Sequence, residues 1–156
     1  MHKKYIIICF LFVLQLIVKG QDASINSKQI EDLKNSLLTA KEDSTRIFIL
    51  GRLGFTYQGL NIDSALKYTY AGINLAKEKG NSRMEANILA TLSGIMSQQG
   101  KFAEALDMLF KSLKIAEDNN LTYEIARANR RLGGVYFDLE NYRKAISYDL
   151  IALKLD

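Results

Sequence analysis

The 156-residue chain contains no proline, a single histidine and a single cysteine. His2 and Cys9 both fall within the first twenty residues, and that stretch is built like an export leader. Met1-His2-Lys3-Lys4 is a short basic start, and Tyr5 to Val18 is apolar apart from Gln15. Val18-Lys19-Gly20 then puts small residues at the minus-three and minus-one sites before Gln21. The apolar run is shorter than the roughly 20 residues needed to span a membrane. Residues 1–20 are therefore expected to be a signal peptide cleaved after Gly20, with the periplasm or cell envelope as destination and no membrane span after the leader. Cys9 lies inside the apolar run, away from its end, which does not fit a lipid-attachment cysteine.

Without histidine or cysteine, the exported chain lacks the side chains for the usual zinc sites, a serine–histidine pair, a cysteine nucleophile or a redox dithiol. The expectation is a protein that is not an enzyme, with no catalytic residues, no metal and no cofactor. Acid pairs such as Glu104–Asp107 and Glu117–Asp118 read as solvent-facing charges, since neither has a third ligand or an evident cleft. The absence of cysteine also excludes a disulfide, so stability must come from helix packing. A surplus of positive charge is missing too. The leader takes Lys3, Lys4 and Lys19 and no acid, so the 21 bases and 17 acids of the whole chain become 18 against 17. Non-specific phosphate binding relies on a surplus of lysine and arginine, so nucleic acid is not an expected partner.

What the chain does contain is repetition. Ile62-Asp63-Ser64-Ala65-Leu66, Phe102-Ala103-Glu104-Ala105-Leu106 and Tyr142-Arg143-Lys144-Ala145-Ile146 lie 40 residues apart. The register continues through Tyr68, Met108 and Tyr148, then Ile73, Leu113 and Leu153, then Leu75, Ile115 and Leu155. A period between about 20 and 50 residues marks a solenoid whose units bury their apolar faces only against their neighbours. Valine, isoleucine and threonine are dispersed at helical spacing, which with the lack of proline predicts an all-α fold.

The predicted order is a polar start and N-terminal helix over 21–44, then three helical pairs over 45–81, 82–121 and 122–156. In the first helix, Lys28 to Ala40, Ile30, Leu33, Leu37 and Leu38 form the apolar face. Asp43-Ser44 is expected to cap the next helix, and Asn61 or Asp63 the one after. Ser82 and Glu85 have the spacing of a capping box. Gly54, Gly94 and Gly134 recur at 40 residues, which close helix crossing explains. Connections of two to four residues make consecutive helices antiparallel neighbours.

Leu132-Gly133-x-x-Tyr136, followed by Ala145 and Ala152 and preceded by Ala126, resembles the tetratricopeptide repeat. The second unit keeps Leu92, Gly100, Phe102, Ala105 and Leu109 but has Ser93 and Met96 where glycine and tyrosine are usual. The first keeps Leu53, Gly54, Tyr57 and Ala65, with one residue fewer in its turn. The 40-residue period resembles an extended variant of the repeat. With the leader and the Ile30–Lys34 helix, it is similar to the exported sensor regions of Bacteroidetes histidine kinases and related regulators. The resemblance implies a right-handed α-solenoid that serves as a protein–protein interaction scaffold. It offers, as an alternative, an extracytoplasmic input region of a larger histidine kinase or transcriptional regulator.

In that family the first helices of successive units line a concave groove. Carried over position by position, the peptide-binding residues implied are Phe48, Phe55 and Gln58 from unit one and Asn87, Ser97 and Gln98 from unit two. Unit three contributes Arg127, Arg130, Arg131 and Phe137. Arg127 and Arg131 share a helical face, so that their guanidinium groups could fork onto a carboxylate of an extended peptide. They resemble half of the basic clamp some family members use; the positions that complete it hold Gly51, Phe55 and Thr91. Two plainer readings stand beside this one: the arginines are a solvated face paired with Glu124 and Asp138, and Phe48, Phe55 and Phe137 are core. The partner expected is a protein or peptide. Solenoids need polar caps, and Ile146, Leu150, Leu153 and Leu155 would have an uncovered side. That side implies a fragment, a continuation, or contact with a partner or a second copy by self-association through the uncapped C-terminal helix.

Overall fold

The computed structural model describes residues 26–155; the expected leader and the expected cleavage after Gly20 lie outside them. All regular structure among the described residues is helical. Helix α1 covers 26–39 and is followed by α2 (Asp43–Tyr57), α3 (Ile62–Glu78), α4 (Ser82–Gln98), α5 (Phe102–Asp118), α6 (Thr122–Asp138) and α7 (Tyr142–Leu155). The helices pack as pairs, α2 with α3, α4 with α5 and α6 with α7, and each pair meets the next through α3–α4 and α5–α6. Backbone contact also links α2 to α4 and α4 to α6, whereas α3, α5 and α7 do not approach one another as closely. Inner helices in contact and outer helices splayed apart give a curved array whose concave side is made of α2, α4 and α6.

Small residues allow the pairs to close. Ala65, Ala105 and Ala145, the repeated alanines, are each at most 4% exposed, as are Ala76 and Ala116 further along α3 and α5 and, at a different repeat position, Ala152 of α7. Around the middle of the array Leu92, Met96, Leu109, Leu132, Val135 and Tyr136 form one apolar cluster, and Ile47, Ala76 and Ile88 form a second between the first two pairs. Tyr57 stacks on Tyr68 with ring centroids 5.6 Å apart, and Tyr136 on Tyr148 at 5.4 Å. In the central pair Met96 and Met108 take the places of these tyrosines, and both join the main apolar cluster.

Four helix ends are built alike. After α3, α4, α5 and α6 a left-handed residue turns the chain: Gly80, Gly100, Asn120 and Glu140, with φ of 63°, 72°, 55° and 57°. The next residue then donates its N–H to a carbonyl five positions back: Asn81 to Ala76, Lys101 to Met96, Leu121 to Ala116 and Asn141 to Tyr136, at 2.8–3.0 Å. This is the Schellman closure, which satisfies carbonyls the helix leaves free. Helix α2 ends differently, through Leu60 and Asn61 N–H groups donating to Tyr57, and this is the turn that is one residue short relative to the others.

Several local expectations change in detail. Helix α1 already includes residues 26 and 27; Ile30, Leu33 and Leu37 are half-buried, but Leu38 is 85% exposed and lies off the packed face. Glu42 occupies the cap position of α2 without a side-chain hydrogen bond. Asp43 sits inside the first turn, its carboxylate held by Lys79 at 3.0 Å. At α4 the cap is Asn81, which accepts from the Met84 N–H at 3.1 Å, so Ser82 is helical and the Ser82–Glu85 box does not form. The Schellman turn at Gly80 fixes this by delivering Asn81, one residue earlier, to the capping position. Asn61, and not Asp63, caps α3, accepting from the Ser64 N–H at 2.8 Å.

The glycine register also shifts. Because the α2–α3 turn is shorter, the crossing positions of the inner helices are Gly54, Ser93 and Gly133, all buried. A Cβ on Gly54 would run into Thr69, and one on Gly133 into the Asp149 carboxylate. Gly134, by contrast, has open space around its Cα. Close crossing thus explains Gly54 but not Gly134, and Gly94 faces the concave side. On the outermost helix, Ile146, Leu150 and Leu153 are 60%, 52% and 71% exposed. The counterparts of Ile146 and Leu153 in α3 and α5, Leu66, Leu106, Ile73 and Leu113, are half-buried under the next pair, whereas those of Leu150, Tyr70 and Phe110, are exposed as well.

Candidate functional site

The inner helices place one face of each repeat on the concave side, and the side chains there divide into two adjoining cavities. The first, about 210 Å³, is lined by Phe48, Gly51, Arg52 and Phe55 of α2, Asn87 and Thr91 of α4, and Arg127 of α6. The second, about 280 Å³, lies further along between α4 and α6, with Ser93, Gly94, Ser97, Arg130, Arg131, Gly134, Val135 and Asp138. Phe48 and Phe55 are 54% and 49% exposed, so they are groove wall and not core. Thr91 is buried, its hydroxyl donating to the Asn87 carbonyl at 3.3 Å.

The charge of the groove is uncompensated where the arginines meet. Arg127 and Arg131 are one turn apart on α6, and among the described residues neither has a carboxylate within ion-pairing distance. Glu124, the acid one turn before them, is buried and reaches instead to Arg83 of α4 at 3.7 Å. Burial, and then the neighbouring charge of Arg127, pull the Arg131 guanidinium well below its ordinary range, to about 10. It remains protonated at neutral pH, and no acid offsets the cost. A desolvated guanidinium of this kind gains most from an anion that restores its lost hydration with charge-assisted hydrogen bonds.

Two donors converge beside it. A Cβ built on Gly94 would lie 2.9 Å from the Gln58 side-chain nitrogen and 3.1 Å from an Arg131 guanidinium nitrogen. Gln58, from the turn after α2, and Arg131, from α6, therefore reach over the bare backbone of α4 from opposite sides. The Ser97 hydroxyl, one turn further along α4, is buried without a hydrogen-bond partner.

Of the residues expected from sequence, Phe48, Phe55, Asn87 and Arg127 share the first cavity, and Ser97, Arg130 and Arg131 the second, with Gln58 poised over Gly94 near Arg131. Gln98 is exposed and lines neither. Phe137 is 62% exposed and packs edge-on against Tyr142 at 5.5 Å, away from both cavities. Arg52 was not among the expected residues. It occupies the same repeat position as Thr91 and Arg131, so stepping back from Arg131 in the corrected register would have found it.

The acid pairs proved ordinary surface charges. Asp107 holds Lys111 at 2.7 Å and Asp118 holds Lys114 at 3.2 Å, each one turn away on its own helix. Among the described residues no group of three or more acids, histidines or cysteines is placed to hold a metal ion, and no helix is long and apolar enough to cross a membrane.

Comparison with known proteins agrees with this architecture. No curated protein matches the chain. The crystal structure of BtubC (BKLC) from P. vanneervenii superimposes with a TM-score of 0.67 at 19% identity, over 88% of this chain and 56% of that one. The chain thus spans little more than half the length of that protein, and the likeness is one of fold. The family model described as the SusR N-terminal TPR domain matches residues 22–151. With that span, nearly the whole array, the chain belongs to the family of SusR N-terminal TPR domains.

Proposed function

We propose that the protein is a non-enzymatic scaffold whose concave face holds an extended peptide or partner helix, with a carboxylate of the partner on Arg127 and Arg131 and an apolar side chain against Phe48 and Phe55. The observation that carries this reading is the unpaired arginine couple on one face of α6, opening into the same groove as two half-exposed phenylalanines. Rings and guanidinium groups are the side chains that most often supply binding energy at protein interfaces. Replacing Arg127 and Arg131 together by alanine should leave the helical signal intact and weaken capture of an acidic partner peptide by about tenfold or more. Titration calorimetry with a glutamate-rich peptide checks this, and equal affinity for both proteins would remove the arginines from the site. Binding should hold from pH 6 to 9, below the Arg131 pKa of about 10, and fall away as the peptide's own carboxylates are protonated near pH ~4.

The basic start, apolar run and small residues before Gln21 support export to the cell envelope. A fusion of residues 1–20 to a reporter that is active only outside the cytoplasm tests that directly. A second reading, an extracytoplasmic input region of a larger regulator, draws support from the family's description as an N-terminal domain. It predicts that the Arg127 and Arg131 replacements alter the output of the full regulator in cells; an unchanged output with lost peptide binding would favour the free-standing scaffold.

A further inference from the structure

In a solenoid each unit touches only its neighbours, so a distortion in the first unit reaches the third only through the second. The backbone here obeys that rule: α2 packs on α4 and α4 on α6, with no contact between α2 and α6. The side chains over Gly94 are the exception. Gln58 from the first pair and Arg131 from the third lie on opposite flanks of the same glycine, each aimed at the space a Cβ would fill.

Both are hydrogen-bond donors, and outside α4's own backbone theirs are the atoms nearest to that point. One carboxylate accepting at roughly 2.9 Å from each nitrogen would bridge them. The Ser97 hydroxyl, buried and unpartnered one turn along, adds a third donor to the same stretch of α4. Glycine is what keeps the place open, because any side chain at that position would occupy it.

We propose that an anionic group entering the groove is held by Gln58 and Arg131 together above Gly94, and that it thereby ties the first helical pair to the third and fixes the curvature of the array. The inference rests on the concave groove being the binding face. It adds that binding is also mechanical: occupancy converts a chain of neighbour contacts into a closed frame. Asp138 lines the same cavity but lies beyond ion-pairing distance of Arg131, so it does not already fill this role.

The substitution Gln58→Glu would place a carboxylate where the bound anion is expected, and so separates the frame from the ligand. Spin labels on exposed positions of α3 and α7, through Asp63→Cys and Arg143→Cys in a Cys9→Ser background, report the distance between the outer pairs. The probe is an acetylated tetraglutamate peptide, used with a free and with an amidated C-terminus to tell a terminal carboxylate from a side-chain one. We expect the peptide to raise the melting temperature of the parent protein and narrow the label–label distance distribution. Gln58→Glu should do both with no peptide present and lower peptide affinity about tenfold, while Gly94→Ala should weaken binding without lowering the melting temperature. If the peptide binds the parent but neither it nor Gln58→Glu narrows the distribution, the frame is wrong and the groove stands. If the peptide does not bind the parent at all, both fall.

Discussion

At the scale of single residues, two adjacent glycines on α6 have opposite reasons to be there. Gly133 lies at the crossing with α7, where a methyl group would meet the Asp149 carboxylate and the Ala145 carbonyl. Gly134 looks into open space. Gly133→Ala should cost about 1–3 kcal/mol by overpacking, whereas Gly134→Ala should gain up to about 1 kcal/mol from helix propensity. Urea melts of the two variants give the comparison, and the same sign for both would mean that the crossing is misplaced. Arg131 carries a cost of a different kind. Its proton is held less tightly in the folded protein than in the unfolded chain, so below both pKa values the charged group lowers stability. Arg131→Met should therefore raise stability at pH 7 by something on the order of 1 kcal/mol and lower affinity for an acidic peptide. A variant that lost both stability and binding would make the arginine a structural residue.

At the scale of the helix, most of what was read from sequence concerned existence and pairing, and most of what was missed concerned ends. The period of the apolar positions is a property of a whole helix and survives local changes, which is why the buried face of α5, Ala105 included, could be recognised from sequence. Caps depend on one dihedral angle and one hydrogen bond. Asn81 and Ser82 both have capping side chains, and only the turn at Gly80 decides between them. The same sensitivity explains the glycine register: one residue fewer after α2 moves the first helix by one position while the second helices keep their 40-residue spacing. Glu140 is the least suited of the four left-handed turn residues, since a side chain with a full Cβ and no local amide pays for that conformation. Glu140→Gly should stabilise the α6–α7 connection by about 1 kcal/mol, read as a higher denaturation midpoint. No gain would show that the turn relaxes out of the left-handed region in solution.

Across the whole molecule, the groove was partly legible because it follows from repeat position: Phe48, Asn87 and Arg127 are the same place in three units. Its electrostatics were not. That Glu124 turns away to Arg83, leaving Arg131 without an acid, depends on side-chain geometry that spacing alone does not determine. The array also makes position along the chain matter for stability. Ala105 is fully buried in the central pair, and Ala145 is its counterpart in the last. Forcing a charged side chain between helices costs several kcal/mol in either place, but the damage should spread differently. Ala105→Arg removes the pair on which both neighbours lean and should abolish the cooperative transition. Ala145→Arg should unfold α6 and α7 and leave much of the remaining helical signal. Circular dichroism melts distinguish the two, and equal losses would mean that the units do not behave as a linear chain of neighbours.

The identical turns after α3, α4, α5 and α6 carry a consequence for how such a chain can be lengthened. Helix plus turn occupies 20 residues whether the turn joins partners within a pair or one pair to the next. The backbone therefore does not distinguish inner helices from outer ones; only the side chains do. A copying event of 20 residues would splice cleanly at the turns and yet send every later helix to the wrong side of the curve, with groove residues outward and splayed faces inward. Only even multiples preserve the pattern, so the unit of inheritance in this architecture is twice the unit of its geometry.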